Sequence, residues 1–143
     1  MTQLVEEEGI SMTPYSPLAG GRVCRMWSED TKRYLTDKVS KYKYDDEKEN
    51  DLPIVQRIKE IAEKLKVTMA QISMAWLLNK KDVASPVVGC IKISQVEDLV
   101  KAVKIKLSEE DMKFLEELYR PHKVIEPGNK NDAPLYNKVV EKK

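Results

Sequence analysis

The sequence predicts a mostly helical α/β chain with two short parallel strands. Three observations carry this. Two stretches with strand character, residues 10–15 and 84–91, are separated by helical segments, the order that parallel βαβ units require. Capping-box sequences begin at Thr68, Ser94 and Ser108, each ahead of an apolar-periodic run, and mark three helix starts. Two strands alone cannot form a stable open sheet covered on both faces, so the chain reads as part of a larger α/β fold.

Each element follows from its residues. Met1 to Glu8 resembles the end of a helix, stopped by Gly9, a residue able to take the left-handed position after a helix. Ile10 to Tyr15 alternates apolar and polar residues and is closed by Pro17, which predicts a short strand. Residues 16–25 form a loop built on Pro17, Gly20 and Gly21. Residues 28–51 are dominated by charge and Tyr and read as a solvated connection containing a short helix. After Asp51, Ile54, Val55, Ile58, Ile61, Ala62 and Leu65 trace one buried helical face. The next helix runs from the Thr68 cap to about Asn79, with Ile72, Ala75, Trp76 and Leu78 available for burial. Residues 84–91 read as a buried strand, with Pro86 placing its beginning at an edge or bulge. The helix capped at Ser94 directs Val96, Leu99, Val100 and Val103 inward; the one capped at Ser108 directs Met112, Leu115, Leu118 and Tyr119 inward. From Pro121 the chain becomes irregular, and residues 123–143 are expected to form a frayed tail.

Composition bounds the function classes. The 143 residues include 25 Lys plus Arg against 24 Asp plus Glu, and this balance offers no general attraction for nucleic acid or an anionic membrane. No apolar run approaches the ~20 residues of a membrane span, and the acidic N-terminus lacks a secretory h-region. Cys24 and Cys90 are isolated thiols, neither a disulfide framework nor a metal-ligand pair, which points to a cytoplasmic setting and to no metal site.

Two segments carry binding chemistry. Tyr15–Arg22 follows the first strand directly: a Gly-rich turn frees backbone amides for a phosphate, an Arg stands nearby, and Tyr15 offers a face for stacking a ring. Val87–Asp98 runs from a strand through Gly89 and Lys92 to a helix start, where the helix dipole and its free amides favour an anion. Each segment alone reads more readily as an ordinary turn.

Together the two segments resemble the aldo-keto reductase family. Tyr15-Ser16-Pro17-Leu18 matches the aromatic-Ser-Pro-Leu run that ends the family's seventh strand. Gly89-Cys90-Ile91-Lys92, followed by Gln95-Val96-Glu97-Asp98-Leu99, matches the segment after its eighth strand. The stretches AEKLKVTMAQISMAWLL and IKLSEEDMKFLEELYRPH extend the likeness to about His122. The resemblance implies the C-terminal portion of an incomplete (β/α)8 TIM barrel, one partial domain over residues 1–143 with NADP(H) as cofactor. It implies that Tyr15 stacks on the nicotinamide, that Ser16, Leu18 and Gly20 line the pyrophosphate with Arg22 close by, that Lys92 meets the 2′-phosphate, and that Pro17 and Gly89 belong to the same cofactor site. Gln95 and Asp98 would approach the adenosine. Two departures stand out: Ile91 replaces a common Ser or Thr, and Leu99 replaces a common Asn.

The resemblance also implies what the chain does not carry. The family's catalytic Asp, Tyr, Lys and His come from earlier strands, and no residue here is assigned to them. A complete barrel needs about 250 residues. His122 reads as a structural or surface residue, and Tyr34, Tyr42 and Tyr44 lie in the charged segment with no sign of an acid role. The expected function is therefore part of an NADP-dependent reductase, acting in the complete protein on a small aldehyde, ketone or alcohol and inactive by itself. An alternative is a non-catalytic interaction module whose exposed strand edges pair with another chain. A helix-turn-helix nucleic-acid binder is disfavoured by the balanced charge.

Overall fold

The computed structural model describes residues 2–27, 31 and 35–121. Tyr34, His122, the 123–143 tail and parts of the 28–51 segment lie outside the described residues. Six α-helices carry the described fold: α1 (Thr2–Glu7), α2 (Lys38–Tyr44), α3 (Lys48–Leu65), α4 (Met69–Leu78), α5 (Ile93–Val100) and α6 (Glu109–Glu116). Short 3₁₀ turns lie at Ala19–Gly21, Asp45–Glu47 and Lys101–Lys104.

The first segment behaves as its residues predict. α1 ends in Gly9 at φ +62°, and the Ile10 amide reaches back to the Val5 carbonyl at 3.1 Å. The two expected strands are reduced to isolated parallel bridges, Met12 with Val83 and Tyr15 with Val87. The parallel direction agrees with expectation, but regular strands do not form among the described residues. Between the bridges one side advances three residues and the other four, so the register slips by one residue. Pro86 sits in that slip, consistent with its lack of an amide donor. The 84–91 segment is not buried as expected either: Val87, Val88 and Ile91 are exposed. No described element covers its outer side.

The described part of the charged connection contains the short helix expected there. α2 is capped by Asp37, whose side chain accepts from the Ser40 amide, and the chain passes through Asp45–Glu47 directly into α3. α3 therefore starts at Lys48 rather than after Asp51, with Pro53 inside it. Val55, Ile58, Ile61 and Ala62 form its buried face, and Lys66 closes it in the left-handed region at φ +56°.

α4 opens at the Thr68 capping box: the Gln71 amide donates to Thr68 Oγ1 at 3.2 Å, and the Thr68 amide donates to Gln71 Oε1 at 3.1 Å. α6 opens the same way at Ser108 and Asp111. The third box is displaced. α5 is capped at Lys92, not Ser94, because Gln95 Oε1 accepts from the amides of Ile91 (2.9 Å) and Lys92 (3.2 Å). One side chain thus satisfies two amides that would otherwise lack partners.

The core lies where α3, α4, α5 and α6 meet, around Ile58, Ile61, Ile72, Met74, Ala75, Leu99, Ala102, Leu107 and Leu115. Peripheral bonds tie these helices together. Lys64 pairs with Asp111 at 2.7 Å, and Glu116 accepts from both Trp76 Nε1 (2.8 Å) and Lys80 (2.5 Å). Of the residues expected inward on α5 and just beyond it, only Leu99 is buried; Val96, Val100 and Val103 are exposed. Leu118 and Tyr119 are exposed too, because α6 ends at Glu116 before they can join its face.

Candidate functional site

The parallel bridges bring the two sequence motifs to one end of the molecule. The Val87 amide donates to the Pro14 carbonyl at 2.8 Å, so the turn after Tyr15 and the turn after Val87 leave the pairing side by side. This is the geometry in which the loops of a parallel pair share a ligand.

The first turn is wound tightly. Ser16, Ala19, Gly20 and Gly21 all have positive φ, two of them without the freedom of glycine. The Ala19 amide donates to the Ser16 carbonyl at 3.0 Å and the Gly21 amide to Leu18 at 2.7 Å. Gly20 has no alternative here: a Cβ on it would lie 2.3 Å from Ser40 Oγ, so α2 rests directly on the turn. Leu18 packs toward the core, and Pro17 shapes the turn. Tyr15 stands clear of this packing and is 78% exposed.

Arg22 is held differently. It is 3% exposed, with Nη2 at 2.7 Å and Nε at 3.2 Å from Asp45 Oδ1, and its guanidinium lies 5.9 Å from the centre of the Tyr44 ring. The Trp27 indole donates to the Arg22 carbonyl at 2.8 Å. A buried guanidinium needs such partners to offset its desolvation. The consequence is a clamp: the 16–22 turn is fastened to the charged segment through Arg22–Asp45 and Gly20–Ser40.

In the second turn Gly89 is open, with nothing within 4 Å of an added Cβ, and Ile91 and Lys92 are exposed. Gln95 is occupied in capping α5. Asp98 faces α4, where Oδ1 accepts from Gln71 Nε2 at 2.7 Å and Oδ2 from Thr68 Oγ1 at 3.1 Å. These bonds fix the Asp98 carboxylate against α4.

A dinucleotide fits the available groups at its two ends. An exposed aromatic face at Tyr15 suits a planar ring, and an exposed ammonium at Lys92 beside an open Gly89 suits a phosphate. The carboxyls with lowered pKa lie elsewhere. Asp111 is held below its usual range by the Lys64 bond; at Glu116 burial pushes upward but the Lys80 and Trp76 bonds outweigh it.

Sequence reasoning passed over the charged segment. It supplies Ser40, Asp45 and, above Tyr15, Lys43, whose Nζ lies 5.9 Å from the Tyr15 ring centre. No local motif marks these residues, because their partners in the turn are twenty or more residues away.

Comparison with known proteins decides the family. The profile of the Aldo/keto reductase family matches residues 1–120. The chain belongs to the aldo/keto reductase family. It is 36% identical over 126 residues to versiconal hemiacetal acetate reductase from Aspergillus parasiticus, covering 87% of this chain and 36% of that protein. It is 37% identical over 130 residues to a putative aryl-alcohol dehydrogenase from Schizosaccharomyces pombe, covering 85% and 34%. Among solved structures, a thermostable aldo-keto reductase in complex with the inhibitor epalrestat superposes with a TM-score of 0.52 at 28% identity, over 82% of this chain and 33% of that one. The chain thus spans about a third of the length of the family members it matches. One of its fold neighbours is an aldo-keto reductase, so the likeness is to part of that family's barrel fold. Among the described residues no helix is long and apolar enough to cross a membrane.

Proposed function

We propose that this chain is the C-terminal portion of an NADP-dependent aldo-keto reductase, acting in the cytoplasm and carrying part of the cofactor site without the catalytic tetrad. The observation that carries this reading is the Tyr15–Val87 bridge, which sets the Tyr15 turn beside the Gly89–Lys92 turn. Tyr15 stacks on the nicotinamide, Ser16 to Gly20 present the tight turn to the pyrophosphate, and Lys92 binds the 2′-phosphate with Gly89 giving it room. Arg22 supports the turn from beneath through Asp45. Gln95 sets the start of α5 and so aims Lys92; Asp98 ties that helix to α4 and borders the adenosine side.

NADP(H), when bound, supplies or accepts the hydride. This chain's residues bind and orient it. The acid–base chemistry on a small aldehyde, ketone or alcohol belongs to residues that this sequence does not carry, so the chain by itself is inactive as a reductase.

The test is cofactor binding. A charge-assisted contact contributes about 1.5–3 kcal/mol, one to two decades in affinity. Lys92→Ala is expected to weaken NADPH binding by that amount and to leave NADH nearly unchanged, read by titration of each cofactor. Equal losses for both cofactors would assign Lys92 to the fold or the pyrophosphate instead. A second reading, an interaction module, is favoured by the exposed apolar residues along 87–103, which would be covered by another barrel segment. Co-purification with the remaining two-thirds of a family barrel tests it.

A further inference from the structure

We propose that Lys43 discriminates between the two redox states of the cofactor, favouring NADPH over NADP⁺. The inference rests on the proposal that Tyr15 stacks on the nicotinamide. It begins with position. Lys43 Nζ lies 5.9 Å from the Tyr15 ring centre, on a helix capped by Asp37 and fastened to the turn after Tyr15. The fastening has two parts: Ser40 fills the space beside Gly20, and Asp45, the residue just past the helix, holds the buried Arg22. The ammonium is therefore placed by the same clamp that shapes the cofactor turn, although Lys43 itself is exposed.

The charge of the ring supplies the consequence. The nicotinamide of NADP⁺ carries a positive charge, and the dihydronicotinamide of NADPH is neutral. A ring stacked on Tyr15 at about 3.5 Å lies within about 10 Å of the ammonium on either face, which is no more than one Debye length at ~0.1 M salt. Lys43 thus repels the oxidised ring and is indifferent to the reduced one. Its attraction for the phosphates is common to both forms and cancels in the ratio of their affinities. At this distance, with solvent screening, the repulsion changes that ratio by about two- to fivefold.

The experiment compares wild type, Lys43→Gln and Lys43→Arg by calorimetric titration with NADPH and with NADP⁺ at low ionic strength. The expected result is that the NADPH-to-NADP⁺ affinity ratio falls two- to fivefold in Lys43→Gln, and that Lys43→Arg retains the wild-type ratio. Added salt should narrow the difference between wild type and Lys43→Gln. An unchanged ratio in Lys43→Gln, or an equal loss of both affinities, overturns this inference and leaves the cofactor site standing. A ratio that falls equally in Lys43→Arg also overturns it, since the charge would then not be the cause. Absence of binding of either cofactor to wild type overturns the cofactor reading itself and this inference with it.

Discussion

Two sides of this molecule handle apolar residues in opposite ways. On the side of α3, α4 and α6, Val55, Ile72 and Ala75 are all but sealed from solvent. On the side of the bridges and α5, Tyr15, Val87, Ile91, Ile93 and Val96 remain about half exposed or more. Local quality does not explain the difference. α5 has a good start, with Gln95 satisfying two amides, just as α4 and α6 have capping boxes. A helix end is completed by residues three or four positions away, but an apolar stripe needs another element to cover it. The covered side holds the chain together, and the uncovered side carries the proposed cofactor residues.

The largest expected effect would break this comparison if it failed. Ile72→Ala on the covered side should cost about 4 kcal/mol, the usual range for emptying a core position. Val96→Ala on α5 should stay within about 0.5 kcal/mol, as for an exposed site. Urea denaturation of both variants measures the gap; similar losses would mean that the α5 face is covered in solution.

A smaller effect sharpens the contrast between the helix starts. Thr68→Ala removes a hydroxyl that accepts from the Gln71 amide and should cost about 1 kcal/mol. Ser94→Ala should cost almost nothing, because the cap lies at Lys92 and the work is done by Gln95. Equal costs would return the cap to Ser94.

The smallest effect concerns pH. The Lys64 bond holds the Asp111 carboxyl below its ordinary pKa in the folded state. A carboxyl with a depressed folded pKa adds stability that is complete above its unfolded value and disappears as pH falls through the folded value. Wild type should therefore lose stability relative to Asp111→Asn on acidification through the carboxylate range, and the two should run parallel above it. Melting temperatures across that range provide the measurement. Lys64 is mostly exposed, so solvent screening keeps the difference modest.

The sequence by itself determined the helix starts at Thr68 and Ser108, the stop at Gly9, the buried row Val55–Ile58–Ile61–Ala62 and the family. Each of these depends on residues close in the chain or on a motif read as a string. Only the tertiary structure decided that Met12 meets Val83 and Tyr15 meets Val87, that Arg22 is buried against Asp45, and that Lys43 stands over Tyr15. It also decided that Val96, Val100 and Val103 stay exposed although their spacing marks an apolar face. The physical reason is range. Capping and periodicity act within one or two helical turns, whereas bridges, buried ion pairs and the cover over a stripe join residues that the chain must first bring together. The two motifs proposed to hold the cofactor were legible because they are contiguous; the clamp on the first of them was not, because half of it lies in a segment whose composition reads only as charge.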